Sequence, residues 1–194
     1  MKFKFIGTAL VGLFFSVSSL VNVANAGLIT FEETSHTSAW DSTYLGWTLH
    51  NSQIFTNLWA PSTVSGDNAL VNYNSRIGEF TRDTIFNFES AFFTRDGRYS
   101  GTTAIVNVFG LDQLGNTIYS TQLNLTNAPT FFNFGWDNIY GISWDPIGNS
   151  DSNNIAIDNF SFSEVSQDVP EPSTLAIFAL GMIGLASRRF KKQS

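Results

Sequence analysis

The 194-residue chain has no cysteine. That excludes disulfides, thiolate catalysis and cysteine-bound zinc. Between Gly27 and Asp168 there is no lysine either. The only cations in that stretch are Arg76, Arg82, Arg95 and Arg98, against fifteen carboxylates, a formal charge of −11. Such a surface repels nucleic acid and anionic lipid, so neither is a partner. It suits an extracellular protein living among divalent cations and neutral polymers. Histidine is scarce, with only His36 and His50. There is no Gly-x-Ser-x-Gly elbow and no His-Glu-x-x-His motif. No stretch of the middle keeps a 3.6-residue apolar period, which argues against helices there.

What is present begins with "MKFKFIGTALVGLFFSVSSLVNVANA". Lys2 and Lys4 form a positive start, an apolar run follows, and Ala24-Asn25-Ala26 fits the small-x-small rule. Residues 1–26 therefore read as a secretory signal peptide, cut by signal peptidase after Ala26. Residues 27–165 form one domain, long enough for a real core.

That domain is rich in Phe, Thr, Ser, Asn and Ile, the residues of strands and turns. Short alternating runs recur at 28–33, 46–51, 53–59, 68–73, 83–95, 102–110, 116–126, 130–136, 138–145 and 153–163. Turn residues separate them, with hairpin signals at Asp96-Gly97 and in "LDQLGN" at 111–116. The pattern predicts an all-β fold, a jelly-roll-like antiparallel β-sandwich of about nine strands in two sheets, with a barrel as the alternative. In "NNIAIDNFSFS" the apolar positions change parity, from Ile155 and Ile157 to Phe160 and Phe162. A regular strand cannot do this, so a β-bulge is expected at Asp158-Asn159.

After Val165 the pattern stops. Residues 166–173 are a proline-rich linker, 174–187 a short apolar helix of about 21 Å, and 188–194 a basic end. The hydrocarbon core of a membrane is about 30 Å thick, so the helix is short for a permanent span. The Arg/Lys cluster would hold the C-terminus in the cytoplasm. Pro170, Glu171 and Pro172, the short apolar segment with Gly181 and Gly184, and the basic end occur in that order. Together they resemble a PEP-CTERM sorting signal. The resemblance implies processing by an exosortase, a membrane transpeptidase-like protease of Gram-negative bacteria. It implies a precursor transiently anchored in the inner membrane and then delivered to the cell surface or extracellular matrix. It implies nothing about what the domain does.

Three chemistries are candidates for the domain. Sugar binding would use aromatic faces and nearby polar groups. Trp40, Tyr44 and Trp47 in "AWDSTYLGW", with Trp59, are the candidates, and Asp41, Asn51 and Asn57 lie close by in sequence. Trp40 stands in the most polar stretch, and Trp144, alternating with Ile142 and Tyr140, reads as core. A polysaccharide-active enzyme needs two carboxylates across a cleft. Glu79, Asp83 and Glu89 are near one another, while adjacent Glu32 and Glu33 point to opposite faces of a regular strand. A structural Ca²⁺ is the third candidate. "LITFEE" and "IAIDNFSF" look similar to the first and last strands of jelly-roll carbohydrate-binding modules. That resemblance implies an ion held by Glu32 and Asp158. The competing reading has Asp158 accept backbone N–H groups. A second oxygen-rich loop holds Asp145, Asn149, Asp151 and Asn153, without the spacing of an EF-hand. The sequence thus predicts a non-catalytic surface or matrix protein that binds extracellular polysaccharide or matrix partners and requires no cofactor. The alternative is a glycoside hydrolase or lyase sorted in the same way.

Overall fold

In a computed structural model of the protein, residues 26–34, 39–56, 63–72, 74–95, 103–148 and 154–165 are described. The signal peptide up to residue 25 and the short apolar helix expected over 174–187 lie outside these residues, as do Ala24, His36, Trp59, the Asp96-Gly97 turn and the Pro170-Glu171-Pro172 motif. No described helix is long and apolar enough to cross a membrane.

The described chain is antiparallel β throughout. Ten strands run in the order β1 (Ala26–Ile29), β2 (Thr43–Tyr44), β3 (Trp47–His50), β4 (Ser52–Thr56), β5 (Asn68–Asn72), β6 (Gly78–Arg95), β7 (Thr103–Leu111), β8 (Thr117–Thr126), β9 (Thr130–Ile147) and β10 (Ile155–Glu164). The described residues form ten strands, against about nine expected. One expectation needs correcting. The strands form one hydrogen-bonded sheet, β4-β5-β10-β6-β9-β7-β8, with β1 on β10 and β3 on β6, rather than two separate sheets.

The reason lies in β6 and β9. Each has 18 residues, which would be about 60 Å long if straight. A domain of this size has a radius of gyration of only about 14 Å, so both strands must bend. They bend where the ladder breaks. Residues 130–136 and 138–145, expected as two strands, are one strand that turns at Gly135 and Asn138, both with positive φ. Each long strand therefore serves both layers, and a large buried core collects side chains from nearly every strand, with a small second cluster of Ala69, Val71 and Ala156 between β5 and β10. Its centre is aromatic. Trp47 stacks on Phe80 at 4.5 Å, Phe88 on Phe160 at 4.6 Å, and Phe86 and Phe162 meet Trp47 edge-on.

The first strand is shorter than the 28–33 run suggests. Phe31 has φ 64° and is fully buried, so the chain leaves the sheet after Ile29 and drops an aromatic ring into the core. At the other end the parity argument holds. The β10–β6 ladder slips between Asp158 and Ser161, and Asn159 has φ 49°. At this bulge β10 exchanges its outer partner, pairing with β5 through Ala156 and Ile157 and with β1 through Phe160 to Ser163.

Candidate functional site

The β10 bulge gives Asp158 a specific task. Its side chain is 1% exposed. Oδ2 accepts the N–H groups of Val64 (2.7 Å) and Ser65 (2.9 Å). Oδ1 accepts the Ser65 hydroxyl (3.0 Å) and the N–H of Asn159 (2.7 Å). Glu32 binds the same loop, accepting from the N–H groups of Asn68 (2.9 Å) and Asp67 (3.3 Å). A side chain at Gly66, which has φ 52°, would collide with the Glu32 carboxylate, so glycine is required there. Asn68 completes the stitching by donating to the carbonyls of Phe31 and Thr34.

The residues expected to hold Ca²⁺ therefore each hold a loop. Their oxygens face N–H donors, whose positive ends disfavour a cation at the same lone pairs. Among the described residues no three carboxylates or histidines gather as an ion's ligand set. The first and last strands pair directly, Ala26 opposite Ser163 to Ile29 opposite Phe160, and the 63–68 loop adds bonds to Glu32 and Asp158 beside that ladder. In the second expected loop, Asp145 belongs to β9 opposite Asn107, and Asn149, Asp151 and Asn153 lie outside the described residues.

The aromatic candidates separate. Tyr44 is in the core, its ring 5.8 Å from Phe31. Its hydroxyl donates to Glu33, and burial together with that carboxylate raises its pKa. Trp47 is also core, so neither belongs to an exposed aromatic face. Trp40 is 37% exposed. Asp41 beside it accepts the Asn51 N–H at 2.6 Å and lies 3.2 Å from Nδ1 of His50. His50 in turn stands opposite Glu79 in the β3–β6 ladder.

Glu79 leads into an open groove of about 490 Å³. It is lined by Glu79, Thr81, Arg82 and Asp83 of β6, Tyr140 of β9, and Leu111, Asp112, Gln113 and Gly115 at the β7–β8 turn. The groove exists because the β6–β9 ladder fails here. Thr81 pairs with Gly141 and Phe86 with Ile139, so four residues of β6 (82–85) face Tyr140 alone. Bulges of this kind re-aim side chains and recur beside functional sites. Gly141 keeps the ladder close beside the groove, since a Cβ there would meet Thr81 Cγ2 at 2.4 Å. The far wall is rigid. Asp112 accepts the N–H groups of Leu114 and Asn116, each at 2.8 Å, and the Asn116 side-chain amide at 2.9 Å. These bonds, those from Asn116 foremost, lower its pKa.

Arg82 lies at the edge of the groove but is committed elsewhere. Its guanidinium forks onto Glu164 at 2.8 and 3.2 Å and lies 5.0 Å from the Trp47 ring centroid. The groove therefore presents carboxylates, a threonine hydroxyl, a glutamine amide and a tyrosine, with its one cation neutralised. Such a surface accepts and donates hydrogen bonds to hydroxyl-rich or amine-bearing ligands and disfavours anionic ones. The proximity of Glu79 and Asp83 was legible in the sequence. The contribution of Tyr140 and Gln113 was not, and the only clue was the charged pair Arg82-Asp83 interrupting an otherwise apolar alternation.

Comparison with known proteins adds two findings. Residues 168–192 match the PEP-CTERM protein-sorting motif, which implies an exported precursor that passes through the membrane. The domain is similar in structure to a DUF4465 family protein from Bacteroides caccae, at 12% identity over 73% of this chain and all of that one, with a TM-score of 0.53. It is also similar to the arabinose-bound MgGH51 α-L-arabinofuranosidase, at 14% identity over 72% of this chain and 26% of that one, with a TM-score of 0.51. The C-terminal family 22 carbohydrate-binding module of Clostridium thermocellum Xyn10B matches at 15% identity over 77% of this chain and 99% of that one, with a TM-score of 0.41. At these identities the likeness is one of fold, and the first two carry it. No curated protein sequence matches the chain.

Proposed function

We propose that the protein is a non-catalytic glycan-binding module displayed at the cell surface or in the extracellular matrix, with its ligand seated in the Glu79–Tyr140–Gln113 groove. The observation that carries this reading is the groove itself: an open, polar depression at the β6–β9 bulge. Trp40 extends it, through Asp41, His50 and Glu79, with the one exposed tryptophan among the described residues. Because Glu79, Asp83 and Asp112 line the groove and Arg82 is neutralised, the ligand is a neutral or amine-bearing polysaccharide rather than a polyuronate.

Affinity electrophoresis of the protein in gels containing neutral glucan, xylan, chitosan or polyuronate tests this. Retardation is expected with one of the first three and not with the last. Replacing both Asp83 and Gln113 by Ala should weaken it about tenfold, roughly 1.4 kcal/mol, without changing the fold. Migration unaffected by every polysaccharide would refute the proposal. Release of reducing sugar would favour the hydrolase reading instead.

The tail is read as a transient anchor removed near Pro170-Glu171-Pro172. Protein recovered from the native surface or medium should begin at Gly27 and lack Ser194 when weighed by mass spectrometry. An intact C-terminus on most of the released protein would refute removal.

A further inference from the structure

The margins of the sheet differ sharply in length. β1, β2 and β4 are four, two and five residues long, as edge strands that avoid pairing usually are. β8 is ten residues long, closes the sheet order, and pairs only with β7 among the described residues. Proteins guard such an edge with lysine, proline, inward-pointing charge or a bulge in the edge strand. "TIYSTQLNLT" has no charge and no proline; its one bulge, at Ile118, lies at the strand's start and leaves Tyr119–Thr126 in regular register with β7.

The charge pattern around β8 is the second observation. Between Arg98 and Asp137 the only charged residue is Asp112, and its carboxylate is occupied by the turn. In a domain of charge −10 (four arginines against fourteen carboxylates over 27–165), two copies repel one another through most approaches, but not through this edge. The side chains along it suit a strand ladder. Thr117, Ser120, Gln122, Asn124 and Thr126 are exposed, and Gln122 already donates to Asn107 on β7 at 3.1 Å. Leu114 and Ile118, 86% and 48% exposed, supply apolar surface at the turn end.

We propose that β8 is the interface of a two-fold symmetric dimer, in which the β8 strands of two copies pair antiparallel about Thr121, Ser120 of one copy opposite Gln122 of the other, and continue one sheet through both domains. An isologous contact of this kind closes on itself rather than propagating as a fibre. It is compatible with surface anchoring, because β6, β9 and β7 separate β8 from β10, which leads to the sorting tail.

Sedimentation velocity of the full chain in detergent micelles, over a range of protein concentrations, tests the proposal. The wild type should sediment as a dimer. Ser120→Lys with Gln122→Lys places like charges about the axis and should give a monomer with unchanged circular dichroism and melting temperature, as should Ser120→Glu with Gln122→Glu. Mixing the Lys and Glu proteins should restore a dimer, which keeps the test decisive should either variant be weakly folded alone. A wild type that stays monomeric, or a dimer that survives both charge pairs and so resides in the tail, would overturn it.

Discussion

Replacing Trp47 by Ala is expected to cost about 4 kcal/mol of folding stability, the range for removing a large buried aromatic. The size follows from what the ring touches. Trp47 is 3% exposed, stacks on Phe80 with an interplanar angle of 10°, and takes the edges of Phe86, Phe160 and Phe162. Only three residue pairs join β3 to β6, so the indole is the main apolar attachment of the β2–β3 hairpin to the sheet. Its face also supports the Arg82 guanidinium, which Glu164 holds from the other side. Losing the ring therefore opens a cavity and frees a cation at the margin of the groove. Trp40→Ala, seven residues away in sequence, should cost well under half as much, because its ring is 37% exposed where that of Trp47 is enclosed. Urea denaturation of both variants measures the contrast. Equal losses would show that Trp40 is packed too and remove it from the proposed binding surface.

The same pair shows how far the sequence could be read. Strand alternation located the runs, and the turn at 111–116 was legible because Asp, Gly and Asn each have a fixed use there. The bulge at Asp158 was legible because parity is countable. Which aromatic side chains are buried was not legible in "AWDSTYLGW". Leu45-Gly46 turns the chain so that Tyr44 and Trp47 both point inward, and both residues of that turn have positive φ. The groove was the least legible feature. It arises from four residues of β6 facing one of β9, a fact about register between strands some sixty positions apart. Local pattern carries no record of such pairing. The sorting tail lies at the other extreme, a linear signal read by another protein and so complete in the sequence.

Asp158→Ala should cost about 3 kcal/mol, because it strands several hydrogen-bond donors at once. The Val64, Ser65 and Asn159 N–H groups and the Ser65 hydroxyl all converge on this carboxylate, and with it the 63–68 loop loses its hold on β10 where β5 gives way to β1. The pH dependence has a definite sign. Burial raises the Asp158 pKa above its ordinary value of 3.8, although the four donors oppose that rise. The folded state then holds the proton more tightly than the unfolded chain. The group's contribution to stability is complete below the unfolded value and declines as pH rises through the folded one. Relative to the Asp158→Asn variant, wild-type stability should fall across the window just above 3.8 and run parallel to it at higher pH. The clamp also predicts no metal linkage. An ion bound only to the folded state at a hundredfold excess over its Kd would add about 2.7 kcal/mol, and that is absent if the carboxylates already hold a loop. Melting temperatures of the wild type should therefore agree in Ca²⁺ and in EGTA. A rise with Ca²⁺ that Asp158→Asn abolishes would put an ion between the first and last strands and displace the loop from the role assigned to it.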